Sequence, residues 1–213
     1  MRRIYCLIIE LFNQKGISQF LYRFATSKKS RFLIPIYKKM YKVSLEDFEI
    51  PKEGFQTLEQ FFVRKVKKGK RPIVQGENAI VSPVDGKLIS FGEITDDLQV
   101  FVKGKYFSLT DMLGSIEKTK RFINGRFAVI YLSPKDYHRI HAPIDGELAE
   151  QVELGNRSYP VNELGLRYGK DPLAKNFRAV SFIKFMDTTL ALVKIGAMFI
   201  NTIRTTRGLG VVK

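Results

Sequence analysis

Cysteine is almost absent from this chain: Cys6 is the only one in 213 residues. That excludes an internal disulfide framework and a cysteine-based zinc site. Histidine is nearly as scarce, with two copies, and no HExxH spacing or acidic cluster accompanies them to suggest a metal. No apolar run approaches the roughly 20 residues that a membrane-spanning helix needs. Arg2-Arg3 before IYCLII imitates a secretory signal, but Glu10 interrupts it and no small-residue cleavage site follows. Acidic residues are almost missing from the first fifth of the chain. Residues 1–42 hold ten Lys or Arg against Glu10 alone, so they carry +9 of the net +15.

What is present in that segment is basic charge interleaved with Ile4, Tyr5, Leu7, Ile8, Leu11, Phe12, Phe20, Leu21, Phe24, Phe32, Leu33, Ile34, Tyr37 and Tyr41. The pattern predicts two or three short amphipathic helices over residues 1–43, with Gly16 ending the first and Ser18 capping the second. Such helices suit the surface of an anionic membrane. The alternative is that they pack on the protein's own core with solvated lysines. No zinc-finger, RNP-type or KH-type motif points to nucleic acid.

From residue 44 to 213 the texture changes. Thr57 and Gln60 form a capping-box pattern for a short helix over TLEQFFVRKV. A basic patch spans Arg64 to Arg71. Runs broken by Gly, Pro and Asp follow: NAIVSPVDGKLISFGEI, LQVFVKGKYFSL, GRFAVIYLSP, GELAEQVEL, AVSFIKF and TTLALVKIGAMFINTI. A helical turn is expected at Leu109–Leu113. VDG at 84–86 and IDG at 144–146 read as two similar turns. The fold class expected is α+β: N-terminal amphipathic helices, then a largely antiparallel β domain.

Both histidines fall in YLSPKDYHRIHAPIDG, residues 131–146. On a strand, positions three apart face opposite sides. A helical turn from Asp136 to His141 would bring both imidazoles to one place. From these residues alone, a structural cluster and a functional pair both remain open.

The segment resembles the hallmark of phosphatidylserine decarboxylases, and other stretches do so in the family's order: FFVRKVKKGKRPI, VSPVDGKL, VKGKYFSLTDMLG, SYPVN with KNFR, and VKIGAMFINTIRT. Asn201-Thr202 stands where the family has Gly-Ser. The resemblance covers about residues 45–213 and implies decarboxylation of phosphatidylserine to phosphatidylethanolamine. In that family the cofactor is a covalent pyruvoyl group (pyruvate), made by self-cleavage at a serine in an LGST-type motif, and its carbonyl forms a Schiff base with the lipid amine. By the same resemblance, Asp85 is the triad acid and His141 the triad base toward that serine, while His138 serves turnover. Asp136 and Asp145 are the fallback acids. The partners implied are phosphatidylserine, an anionic membrane surface on the cytoplasmic face of the cell membrane, and a C-terminal small chain; a homo-oligomer is left open. One departure stands out: no LGST motif or late Gly-Ser pair occurs, so the pyruvoyl serine is expected beyond Lys213. That leaves a truncated reading frame, a separate small chain, or a degenerate lipid-surface-binding paralogue as alternatives.

Overall fold

The structure is a computed structural model, and it describes residues 15–74, 76, 79–197, 203–204 and 210–212. The first expected amphipathic segment lies largely outside them. The architecture is α+β, with helices first and antiparallel strands after. The chain divides into two compact units. One takes Leu88–Val129 and Gly146–Val212 with the N-terminal residues up to Tyr22; the other takes Arg23–Lys87 and Ile130–Asp145.

In the first unit, β5 (Gly146–Leu154), β6 (Arg178–Phe185), β7 (Thr188–Ile195) and β8 (Gly210–Val212) form one antiparallel sheet in the order β7-β6-β5-β8. β6 is buried along six consecutive positions. A central strand covered on both faces favours apolar side chains at successive positions, and Ala179, Val180, Phe182 and Ile183 supply them, with Ser181 a buried polar exception. Val180 and Phe182 face the main core, packed with Val152, Leu154, Ala191 and Val193 of the neighbouring strands.

The same core receives Val100, Val102 and Phe107 from a hairpin of β2 (Gln99–Val102) and β3 (Lys105–Ser108). Its two-residue loop, Lys103-Gly104, has positive φ at both positions (48° and 82°). That backbone matches the right-handed twist of paired strands, and Gly104 adopts it without strain. The alternation is strict: Phe101 and Tyr106 pair across the hairpin on the outer face, rings 4.9 Å apart.

α4 covers the expected turn at Leu109–Leu113. Its Ser108 cap accepts from the Asp111 N–H, and α5 (Ile116–Lys120) is capped in the same way by Ser115. The buried Arg178 ties this region down. It donates to the carbonyls of Met112 (2.7 Å), Asp111, Ala174 and Asn176.

In the second unit, a 3₁₀ turn (Lys28–Phe32) leads into α2 (Leu33–Tyr41), and α3 covers Leu58–Phe62. Val43, Phe55 and Phe61 form a small core with Ile34 and Tyr37. Ser30, fully buried, donates to the carbonyls of Ala25 and Ser27 and accepts from the Leu58 N–H at 2.9 Å.

Two local expectations need correction. Gly16 does not end a helix and Ser18 does not cap one, because α1 runs through both, over Lys15–Thr26. A single glycine costs a helix only about 1 kcal/mol, which neighbouring turns offset. α3 is also shorter than TLEQFFVRKV. Thr57 caps it by accepting from the Gln60 N–H, but the Gln60 side chain accepts from Gln56 rather than closing a reciprocal box on Thr57. The helix stops at Phe62, and the buried Arg64 side chain turns back to donate to the Phe61 carbonyl.

The two Asp-Gly turns are alike in structure. Each enters a strand: β1 (Lys87–Glu93), which pairs with β4 (Arg126–Tyr131), and β5. At both glycines a Cβ would strike a neighbouring carbonyl oxygen, that of Tyr131 at 2.7 Å for Gly86 and that of Lys184 at 2.4 Å for Gly146. Close backbone approach, which only glycine permits, explains both.

Arg178→Met should lower stability by about 3 kcal/mol, because it leaves four carbonyls short of a donor. Urea unfolding measures this, and an unchanged midpoint would show that water replaces the guanidinium.

Candidate active site

The second unit contains Asp85, His138 and His141 together. Two segments bring them near one another. The Val81 N–H donates to the Pro143 carbonyl at 2.8 Å, and the His141 N–H donates to the Pro83 carbonyl at 2.9 Å. Residues 81–83 and 141–143 therefore run antiparallel, and Asp85 follows two residues past Pro83.

The expected helical turn from Asp136 to His141 does not form. The turn lies earlier, at Ser133–Asp136, and the residues from Tyr137 to Ala142 form neither helix nor strand. Asp136 is spent on this turn: its Oδ2 accepts from the Ser133 N–H at 2.7 Å and its own N–H donates to the Ser133 carbonyl. Asp145, the other fallback acid, is exposed.

Each histidine has its own partners. His138 is half-buried, its ring centroid 3.8 Å from that of Phe62, and its Nδ1 lies 2.9 Å from the Asp136 carbonyl. A carbonyl only accepts, so Nδ1 carries the proton and Nε2 is left with a lone pair. Burial pushes the imidazole pKa down to about 4; the bond to Asp136 opposes the shift and the Arg64 charge adds to it. His138 is thus neutral at physiological pH. His141 is exposed, and its Nε2 lies 2.9 Å from the Tyr137 hydroxyl.

Asp85 is held by neither histidine. Arg71 donates to both of its carboxylate oxygens, with Nε at 2.9 Å from each and Nη2 at 2.7 Å from Oδ2. The same guanidinium reaches Asp47 through Nη1 at 3.1 Å, and Lys70 joins Asp47 at 3.3 Å. The hydrogen bond to Asp85, and then that to Asp47, hold Arg71 above the usual guanidinium range. Arg71 and Lys70 draw Asp47 below the usual carboxylate range.

Beneath the histidine segment sits Arg64, only 1 % exposed. Its Nη2 donates to the carbonyls of Lys135 (2.5 Å) and Asp136 (3.0 Å), and its carbon centre lies 4.3 Å from the Phe48 ring centroid. From the same unit, Tyr37 donates to the Pro134 carbonyl and Arg139 to that of Val63. Arg64, Arg71 and Tyr137 were not singled out in the sequence. Arg64 and Arg71 open and close the run read as a basic patch, and their pairing with distant carbonyls and carboxylates carries no local signal.

The signature of the family described as Phosphatidylserine decarboxylase matches residues 58–213. The phosphatidylserine decarboxylase proenzyme of Geobacillus sp. (strain WCH70) is 45 % identical over 206 residues, covering 97 % of this chain and 80 % of that protein. The protein of the same name from Anoxybacillus flavithermus (strain DSM 21510 / WK1) is 46 % identical over 203 residues, covering 95 % and 77 %. That of Bacillus thuringiensis (strain Al Hakam) is 45 % identical over 202 residues, with the same coverage. These similarities define a lyase class, the carboxy-lyases. The chain belongs to the phosphatidylserine decarboxylase family.

Between about pH 6.5 and 4 the unfolded chain binds a proton at His138 and the folded chain does not. Stability therefore falls as pH falls through that window. The loss is about 2 kcal/mol once partial exposure is allowed for. His138→Asn keeps a donor for the Asp136 carbonyl but cannot titrate. Melting temperatures should fall less steeply with acid in the variant, and parallel curves would refute the burial of a neutral ring.

Proposed function

We propose that this chain decarboxylates phosphatidylserine to phosphatidylethanolamine at the tract formed by residues 81–85 and 137–143. The observation that carries this is the pairing of residues 81–83 with 141–143, which brings the Asp85 segment to the histidine segment, where the His138 Nδ1–H is bound to the Asp136 carbonyl and Nε2 keeps its lone pair. The family is pyruvoyl-dependent, and that carbonyl supplies the electron sink that lets carbon dioxide leave. The residues present fit such a group as its surroundings rather than its attachment. The family's LGST-type serine is not among them, and the tract offers one buried, neutral base and one exposed one.

The proton traffic follows from the charge states. The lipid amine arrives as an ammonium and sheds a proton before it acts as a nucleophile. His138 Nε2, with its lone pair, is the group placed to relay a proton at the carbon that loses carbon dioxide, passing it on rather than storing it. His141 is the base toward the cleavage serine, and Asp85 its acid. Asp85 now rests on Arg71, so that pairing requires the carboxylate to exchange one partner for another.

The basic N-terminal helices complete the reading, as a peripheral anchor on the cytoplasmic face of the cell membrane. Ile36 and Met40, four residues apart on one side of α2, are 53 and 65 % exposed, and Phe32, the last residue of the preceding 3₁₀ turn, is 64 % exposed. Lys28, Lys29, Lys38, Lys39 and Lys42 are exposed around them. The opposite side of α2, Ile34 and Tyr37, packs on the unit's own core. An apolar stripe ringed by lysines suits the interface of an anionic bilayer, each lysine near the surface adding about 1 kcal/mol. Among the described residues no helix is long and apolar enough to cross a membrane.

Two measurements test these assignments. In the intact protein, His138→Ala should leave chain cleavage in place but slow carbon dioxide release from labelled phosphatidylserine by about 10²–10⁴-fold. His141→Ala should block cleavage itself. If the effects are exchanged, the two roles are reversed. Vesicles rich in phosphatidylglycerol should sediment the protein, less so at high salt. Ile36→Glu with Met40→Glu should abolish this, and undiminished binding would refute the α2 anchor.

A further inference from the structure

Tyr137 belongs to the histidine segment, yet neither the motif nor the chemistry above gives it a part. We propose that Tyr137 is a positioning residue for His141: its phenol donates to Nε2 and holds the ring in the Nδ1–H tautomer before any hydroxyl nucleophile arrives. The proposal rests on the reading of His141 as the base in self-cleavage.

The direction of this hydrogen bond follows from burial. Tyr137 is 4 % exposed, and its hydroxyl pairs with His141 Nε2 at 2.9 Å. Burial raises the phenol pKa, so the group keeps its proton. A buried O–H without an acceptor costs about 1–3 kcal/mol. If Nε2 carried hydrogen and donated to the phenol, the O–H would face that cost. If Nε2 accepts, both atoms are satisfied. The exposed imidazole then turns its Nδ1–H toward water.

That tautomer is the one a base acting through Nε2 requires: a lone pair on Nε2, and an N–H on Nδ1 that a carboxylate can accept from. The ring is anchored from two more directions. The His141 N–H is bound to the Pro83 carbonyl, and the two rings stack at 5.6 Å with 26° between their planes. Tyr137 is itself fixed against Phe48, 6.1 Å away. The phenol therefore donates to the same Nε2 lone pair that a nucleophile's hydroxyl would use.

Tyr137→Phe removes the donor and keeps the ring packing, so the melting temperature should barely move. His138 and His141 are the two histidines of the 213 residues, and the single variants His138→Asn and His141→Asn assign their rings among the imidazole nitrogens of the ¹⁵N-labelled intact protein. At mildly alkaline pH, wild-type His141 should show an unprotonated Nε2 and a protonated Nδ1. In Tyr137→Phe that ring should become a mixture of tautomers, while His138, held by the Asp136 carbonyl, stays unchanged. Chain cleavage should slow by about three- to tenfold in the variant. A protonated Nε2 in the wild type, an unmoved tautomer in Tyr137→Phe, or unslowed cleavage would each overturn the proposal. A wild-type protein that never cleaves would sink the self-cleavage reading instead, and the ¹⁵N spectra would still decide the tautomer.

Discussion

The histidine segment depends on one buried cation. Arg64 lies under Phe48 and Phe61 and donates to the carbonyls of Phe61, Lys135 and Asp136. Its Nε has no hydrogen-bond partner among the described residues. Burying a guanidinium costs several kcal/mol, and the protein pays it without a carboxylate. Charge-assisted bonds to carbonyls, at about 1.5–3 kcal/mol each, and the two aromatic faces offset the cost. The return is placement. The Asp136 carbonyl that Arg64 grips is the one that receives His138 Nδ1–H, so the same cation sets the tautomer of His138 and helps to keep it neutral.

The second unit thus handles its two histidines in different ways. His138 is fixed through backbone and burial, which leaves Nε2 unprotonated over the physiological range. His141 is fixed through a side chain, at the exposed rim. Two imidazoles three residues apart can then differ in proton affinity and access, as two separate proton-transfer tasks require. The lack of a helical turn between them matters here. A helical turn would have given both rings one environment.

Asp85 shows a related separation. The Arg71 clamp, braced by Asp47, satisfies the carboxylate away from His141. Partly exposed ion pairs of this kind are worth about 1 kcal/mol or less. An exchange of partners is therefore energetically open, and the clamp keeps Asp85 at the end of the tract that His141 joins.

The strands, their order along the chain and the α+β class were legible in the sequence because alternation, β-branched runs and glycine turns are local signals. The β-like run LQVFVKGKYFSL folds as the β2–β3 hairpin, and the helical turn expected at Leu109–Leu113 forms. The motif order announced the family and brought Asp85, His138 and His141 forward as candidates. Tertiary structure alone decided what those side chains touch. Arg64 and Arg71 sit at the ends of a run that reads only as a basic patch, and only the folded chain buries one and pairs the other, with partners 14 to 72 residues away. The path of the backbone at Tyr137–Ala142 was misread for the same reason. Its hydrogen bonds go to residues 81–83, distant in sequence, and a long-range pairing overrode the local tendency of Ser-Pro-Lys-Asp to begin a helical turn.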